Sequence, residues 1–330
     1  ESYERYIRVY DIDVDVNGDI YIAGTIENVD ENGWYVNDTG LVLKYDKNGE
    51  FLKEYKHDIF EYEDSYFYDL EIDKDRIVVV GAYYEDIDKY LPEPKSDENL
   101  GVAKPYLEHD HEEAYAIVLD KELNKKFDTV FDYDSWEEFY GVSLTSDRGF
   151  IAVGQTSSEN VPNLEYDHRY TYPIVVKYDK DGKIEWYNSL AADSKLNDEN
   201  TCSYGMYNEF YDVIENCDGN YVVVGDISTL SKTELIESSK YDGLREILST
   251  KYEVLGGSVD VQNDEYVEYE STAGVVVEYD KSGKVVKQTT EDTEFNDYFA
   301  DIVLLNNCEY AVVGSLGHQY NNSGVPNSLR

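Results

Sequence analysis

The sequence predicts an all-β protein, a β-propeller of four-stranded antiparallel blades, and three observations carry that prediction. A short motif led by an aromatic residue or Val recurs five times in 330 residues. Each copy is followed by a four-residue apolar run closed by glycine. Three copies then share a near-identical Asp-Lys-x-Gly turn. A repeat of this kind is the mark of an architecture assembled from one supersecondary unit.

The opening motif reads Val9-Tyr10-Asp11-Ile12, Phe67-Tyr68-Asp69-Leu70, Phe139-Tyr140-Gly141-Val142, Phe210-Tyr211-Asp212-Val213 and Phe299-Ala300-Asp301-Ile302. The apolar runs close at Gly24, Gly81, Gly154, Gly225 and Gly314, spaced 57, 73, 71 and 89 residues apart. Third runs span 41–46, 115–120, 174–179 and 275–280. Turns such as Asp46-Lys47-Asn48-Gly49 and Asp179-Lys180-Asp181-Gly182 lead from them into a fourth strand. Glycine there supplies the positive φ that a tight hairpin needs. The second strand is apolar on both faces, so it must be covered on both sides. Radially packed sheets provide that cover; an open solenoid or a sandwich array is the structural rival. The reading is one propeller domain over 1–330, with repeats at about 1–58, 59–130, 131–200, 201–290 and 291–330, the last incomplete. Glu1 in place of Met suggests a processed product or a fragment.

Two stretches resemble the repeats of secreted bacterial β-propeller repeat proteins of clostridial type, which read roughly DGGYIVVG and IVKYDxNGxxxW. They are Asp218-Gly219-Asn220-Tyr221-Val222-Val223-Val224-Gly225, and the run from Ile174-Val175-Val176-Lys177-Tyr178-Asp179 to Trp186. The resemblance implies the fold and an extracellular or cell-surface address. The matching residues are scaffold, so it implies no site.

Composition narrows the partners. With 71 Asp+Glu against 28 Lys+Arg, the net charge is −43. Such a polyanion repels phosphate backbones and anionic membranes, which excludes nucleic-acid partners. No apolar run is long enough for membrane insertion as a helix. Cations, basic proteins, neutral glycans and copies of the chain itself remain. Of the cysteines Cys202, Cys217 and Cys308, the first two could pair and leave Cys308 free, or all three could be buried thiols.

In an antiparallel blade, turns 1–2 and 3–4 share one face, and the long 2–3 and 4–1 connections share the other. Long loops on a rigid scaffold are where binding concentrates. The aromatic residues expected on that loop face include Trp34, Tyr35, Tyr83, Tyr84, Trp136, Tyr170 and Tyr172, a set suited to stacking sugar rings or seating a protein. Covering loop cores is the bland alternative. Ser231-Lys232-Thr233-Glu234 fits a capping box and predicts a short helix within the insert 226–272.

Asp13, Asp15, Asn17 and Asp19 match the start of a calcium loop, with Gly24 where the usual final Glu would be. A strand with alternating Asp running into an Asn-Gly turn gives the same spacing. The stretch His109-Asp110-His111-Glu112-Glu113 could offer two histidines to a transition metal, and reads otherwise as a solvated acidic loop. No serine-hydrolase elbow, phosphate loop or dinucleotide glycine motif is present.

The expectation is therefore a non-enzymatic, extracellular or cell-surface module. Its loop face would engage a glycan, a protein partner or a second copy, with calcium as a possible ion. The alternative is a glycoside-acting enzyme. The two differ in one feature: an enzyme needs two carboxyls of unequal pKa in one cleft.

Overall fold

The computed structural model describes residues 6–57, 64–86, 110–132, 136–157, 171–189, 208–235, 266–291, 293 and 296–318. The described residues form five antiparallel blades of a β-propeller. Blade 1 holds β1 (Ile7–Val14), β2 (Ile20–Val29), β3 (Tyr35–Tyr45) and β4 (Phe51–Lys56). Blade 2 holds β5 (Ser65–Ile72), β6 (Arg76–Asp86), β7 (Asp110–Asp120) and β8 (Lys125–Phe131). Blade 3 holds β9 (Glu137–Leu144), β10 (Phe150–Thr156), β11 (Tyr172–Tyr178) and β12 (Ile184–Ser189). Blade 4 holds β13 (Glu209–Glu215), β14 (Tyr221–Leu235), β15 (Tyr266–Tyr279) and β16 (Val285–Glu291). Blade 5 is the pair β17 (Asn296–Leu304) and β18 (Tyr310–His318).

Each sheet is a simple meander in sequence order. The first strands of successive blades contact one another, β1 with β5, β5 with β9, β9 with β13 and β13 with β17. They therefore line a common axis. Apolar cores fill the spaces between neighbouring blades, as the doubly apolar second strands require. Val78 and Val80 meet Phe139 and Ala152 between blades 2 and 3. Ile151 and Val153 meet Phe210 and Val223 between blades 3 and 4.

The recurring glycine has a steric cause. Every first strand carries a bulge at the second motif position: Tyr10, Tyr68, Tyr140, Tyr211 and Ala300. The bulge drives the first strand's backbone toward the second. A Cβ on Gly154 would stand 1.8 Å from the Glu138 carbonyl oxygen, and one on Gly81 1.8 Å from that of Tyr66.

The tight turns share a side-chain cap. Asp46 Oδ1 accepts the amides of Asn48 and Glu50, at 2.9 and 2.8 Å. Asp120, Asp179, Asn216 and Asp280 repeat the arrangement.

The two ends of the arc are uncovered. The residue after the axial Asp or Gly is 3% exposed at Leu70, 4% at Val142, 1% at Val213 and 4% at Ile302, but 59% at Ile12 in blade 1. In blade 5, Val313 is 59% exposed, where its counterpart Val224 is 0%.

Three expectations need correction. Residues 231–235 are strand: Thr233 pairs with Glu268 and Leu235 with Tyr266, because β14 and β15 continue as one long hairpin. Glu112 and Glu113 lie in β7, paired with Tyr84 and Tyr83, so that part of the acidic stretch is sheet. Cys217 bonds to Cys308, with 5.6 Å between their Cα atoms; the two residues occupy equivalent hairpin turns of blades 4 and 5.

Candidate active site

The axis is built in layers, because alternate residues of each first strand face it. One row consists of Asp11, Asp69, Asp212 and Asp301, with Gly141 at the same motif position in blade 3. Most of these carboxylates latch blade to blade. Asp11 Oδ2 accepts the Leu70 amide at 3.2 Å, Asp69 Oδ2 that of Val142 at 2.7 Å, and Asp212 Oδ2 that of Ile302 at 2.9 Å. Glu71 repeats the latch one layer down, on the Leu144 amide. Burial, and then the charges of Asp11 and Asp212, push Asp69 well above the ordinary carboxyl range. Burial also raises Asp212 to about 8 and Glu71 to about 7. Beyond this row a cavity of about 770 Å³ opens on the tight-turn face, lined by Asp69, Glu71, Asp212 and Glu215 among others.

Above the aspartates, the bulged tyrosines form an arc of rings. Centroids lie 5.2 Å apart for Tyr10 and Tyr68, 5.5 Å for Tyr68 and Tyr140, and 6.1 Å for Tyr140 and Tyr211. Burial first, and neighbouring carboxylates second, hold the phenols of Tyr68, Tyr140 and Tyr211 far above their ordinary pKa. They are therefore permanent O–H donors.

Toward the loop face, two residues before the tyrosines, stand Arg8, Tyr66, Glu138, Glu209 and Tyr298. Glu138 is held by three side chains. Tyr140 and the Gln155 amide both donate to Oε2, and Tyr68 donates to Oε1 at 3.4 Å. Glu112, arriving from β7, stands beside Glu138. Burial, followed by the charge of Glu138, raises Glu112 to about 9. It thus carries a proton at neutral pH beside a carboxylate fixed by donors. On the other side, Glu209 and Asp226 stand beside Tyr211, whose phenol is raised by burial first and then by their charges. Burial raises Glu209 and pushes Asp226 up to about 8.

The structure brings some of the sequence-chosen aromatics to this mouth. Tyr35 donates to Asp64 Oδ1 at 2.7 Å, and that same oxygen accepts the Asp38 amide at 2.6 Å. Trp136 is bridged to Glu112. Trp34 is exposed in the turn between β2 and β3. Tyr83 packs edge-on against the buried Tyr115, with centroids 5.6 Å apart, and belongs to the core between blades 1 and 2. Tyr84 lies in β6 and its amide bonds the Asp64 carbonyl. Tyr172 opens β11, half-buried. Tyr170 and His109 lie outside the described residues.

The residues of the calcium-like motif have protein partners. Asp15 Oδ1 accepts the amides of Asn17 and Asp19, as the other turn caps do. Lys121 Nζ stands 3.5 Å from Asp15 Oδ2, and Lys44 Nζ 3.4 Å from Asp19 Oδ2. Asp13 accepts the Val14 amide at 2.6 Å. Two lysine ammonium groups thus sit beside these carboxylates. Among the described residues, no group of three or more His, Cys, Asp or Glu side chains is arranged to hold a metal.

Sequence reasoning missed the pair Glu112–Glu138 and the tyrosine arc. A signal for the tyrosines was present, since four of the five motif copies carry Tyr at the second position.

No family model and no curated protein matches the chain. Among solved structures, it is similar to a mannose phosphorylase from Leishmania mexicana in complex with phosphate ion, with 10% identity, a TM-score of 0.37, and coverage of 94% of this chain and 81% of that one. A likeness at this level carries no argument about chemistry. The expected non-enzymatic module is nonetheless corrected. On this chain's own geometry, Glu112 and Glu138 are adjacent carboxyls in unequal environments. That feature separates an acid–base site from a plain aromatic platform.

Proposed function

We propose that the chain is a glycoside-acting enzyme whose site is the loop-end mouth of the propeller axis. The observation that carries this reading is the pair Glu112–Glu138: a half-buried carboxyl raised to about 9 beside a second carboxyl held by Tyr68, Tyr140 and Gln155. Glycoside cleavage needs these two roles. Glu112 would give its proton to the leaving glycosidic oxygen, and Glu138 would face the positive charge that develops at the anomeric carbon. The two carboxyls are neighbours, so a substrate oxygen would enter within reach of both. The tyrosine arc would stack the apolar faces of sugar rings while its hydroxyls orient Glu138.

An extracellular or cell-surface address belongs to the same reading. It is supported by the Cys217–Cys308 disulfide, a bond that persists in oxidising surroundings.

The test is a panel of aryl glycosides and oligosaccharides, assayed with and without inorganic phosphate so that hydrolysis and phosphorolysis are both seen. Turnover that disappears in Glu112→Gln and in Glu138→Gln supports the reading. Turnover unchanged in both variants, or none on any glycoside, overturns it.

A further inference from the structure

The mouth has a charge character that cleavage of a neutral sugar does not require. Among the described residues, Asp38, Asp64, Glu138, Glu209 and Asp226 stand around it in addition to Glu112, with the guanidinium of Arg8 pairing with Asp38 Oδ2 at 3.1 Å. A second observation is independent of that excess. Asp226 is 8% exposed, and its Oδ1 has no hydrogen-bond donor; Asp38 is 3% exposed, and its Oδ1 has none either. A buried acceptor without a donor is costly. Each is tied to a first strand: Asp38 accepts from Arg8 of β1, and Asp226 pairs across the sheet with Glu209 of β13.

What completes this site must bring positive charge and several N–H donors together. A bare metal ion finds no three-ligand group among the described residues. A hydroxyl offers one donor and no charge, and an N-acetyl group offers one N–H and no charge. A protonated primary amine on a sugar ring offers three donors and one charge. We propose that the mouth binds a glycan bearing free amines, with an aminium seated between Asp226 and Glu209 beside Tyr211. This rests on the reading of Glu112 and Glu138 as the glycoside-cleaving pair, whose neighbour Glu209 is. The seat lies one blade along from that pair, so the aminium would belong to a sugar beside the scissile bond. Burial holds Asp226 and Glu209 above the ordinary range. An adjacent aminium favours their ionised forms, so the ligand supplies the charge that stabilises its own seat.

The experiment is calorimetric titration of the full chain with a glucosamine tetrasaccharide, its fully N-acetylated counterpart, and tetralysine as a matched polycation. The expected result is preference for the amino form by about ten- to a hundredfold over both comparators, the worth of one charge-assisted hydrogen-bond set. Asp226→Asn should abolish that preference, and Glu112→Gln should keep it. Glu209→Gln is a second variant in case Asp226→Asn does not fold, and should weaken binding of the amino form. Equal binding of the acetylated oligomer or of tetralysine overturns the proposal, as does a preference that survives in folded Asp226→Asn or Glu209→Gln. The glycoside reading fails separately, by turnover that is indifferent to Glu112 and Glu138.

Discussion

At the tight-turn end of the axis, Asp69 and Asp212 are buried and raised in pKa, and each closes a hydrogen bond onto the backbone of the next blade. At the loop end, Glu112 and Glu138 are also partly withdrawn from water, but Glu138 is held by the side chains of Tyr68, Tyr140 and Gln155, and Glu112 stands beside it. Residue type and burial are alike at the two ends; the partners differ. A carboxyl whose oxygen is committed to a backbone amide is part of the frame, because moving it would orphan that amide. A carboxyl held by side chains can exchange one partner for a substrate oxygen without loss to the frame. A perturbed pKa is therefore no guide to function until the partner is known.

This contrast can be broken at either end. The largest effect is expected for Glu138→Gln or Glu112→Gln: turnover should fall about a hundred- to ten-thousandfold, with the melting temperature close to wild type. A parallel collapse of stability would place this pair with the frame. Next comes pH. Asp69, Asp212 and Glu71 hold protons in the folded chain that the unfolded chain releases near pH 4. Their contribution is complete below pH 4 and is lost as pH rises through 7 to 8. Urea unfolding should show stability lower at pH 8 than at pH 5, on the order of a few kcal/mol. A flat or rising profile over that window contradicts the assignment.

A third effect separates the latch from the charge. Asp69→Ala should cost about 2 kcal/mol by orphaning the Val142 amide. Asp69→Asn keeps an acceptor oxygen in a site that already favours the neutral acid, and should be nearly neutral. Equal losses in the two variants would refute the latch. The smallest effect belongs to Tyr68→Phe, which removes one long hydrogen bond to Glu138 at 3.4 Å. Turnover should drop by about fivefold, with stability changed by less than about 1 kcal/mol.

The blades were legible because two independent signals coincide in each repeat: an apolar run with no polar alternation, and a glycine at its end. The reason for that glycine was not legible. It answers a bulge on the neighbouring strand, and a bulge is a mismatch between two strands that neither shows alone. The tyrosines at positions 10, 68, 140 and 211 repeat in plain sight, but periodicity marks scaffold and site alike. Glu112 was hidden differently. It stands in a run of five polar, titratable residues, and only its pairing with Tyr84 shows that it belongs to a strand. The disulfide was within reach, since Cys217 and Cys308 fall in the same turn of successive repeats; matching repeats, in place of weighing sequence distance, pairs them. The capping-box helix failed because local preference over four residues yielded to the long β14–β15 ladder.

The exposed flanks at Ile12 and Val313 bear on how this molecule comes apart. Blades 2, 3 and 4 are each gripped by two neighbours; blades 1 and 5 by one. In a stack bound only through nearest-neighbour contacts, heating peels units from the ends inward. The disulfide breaks the symmetry of that peeling. It tethers blade 5 to blade 4 and leaves blade 1 with noncovalent contacts alone. Amide exchange should therefore reach β1 to β4 first in the oxidised chain, and both ends together once the bond is reduced.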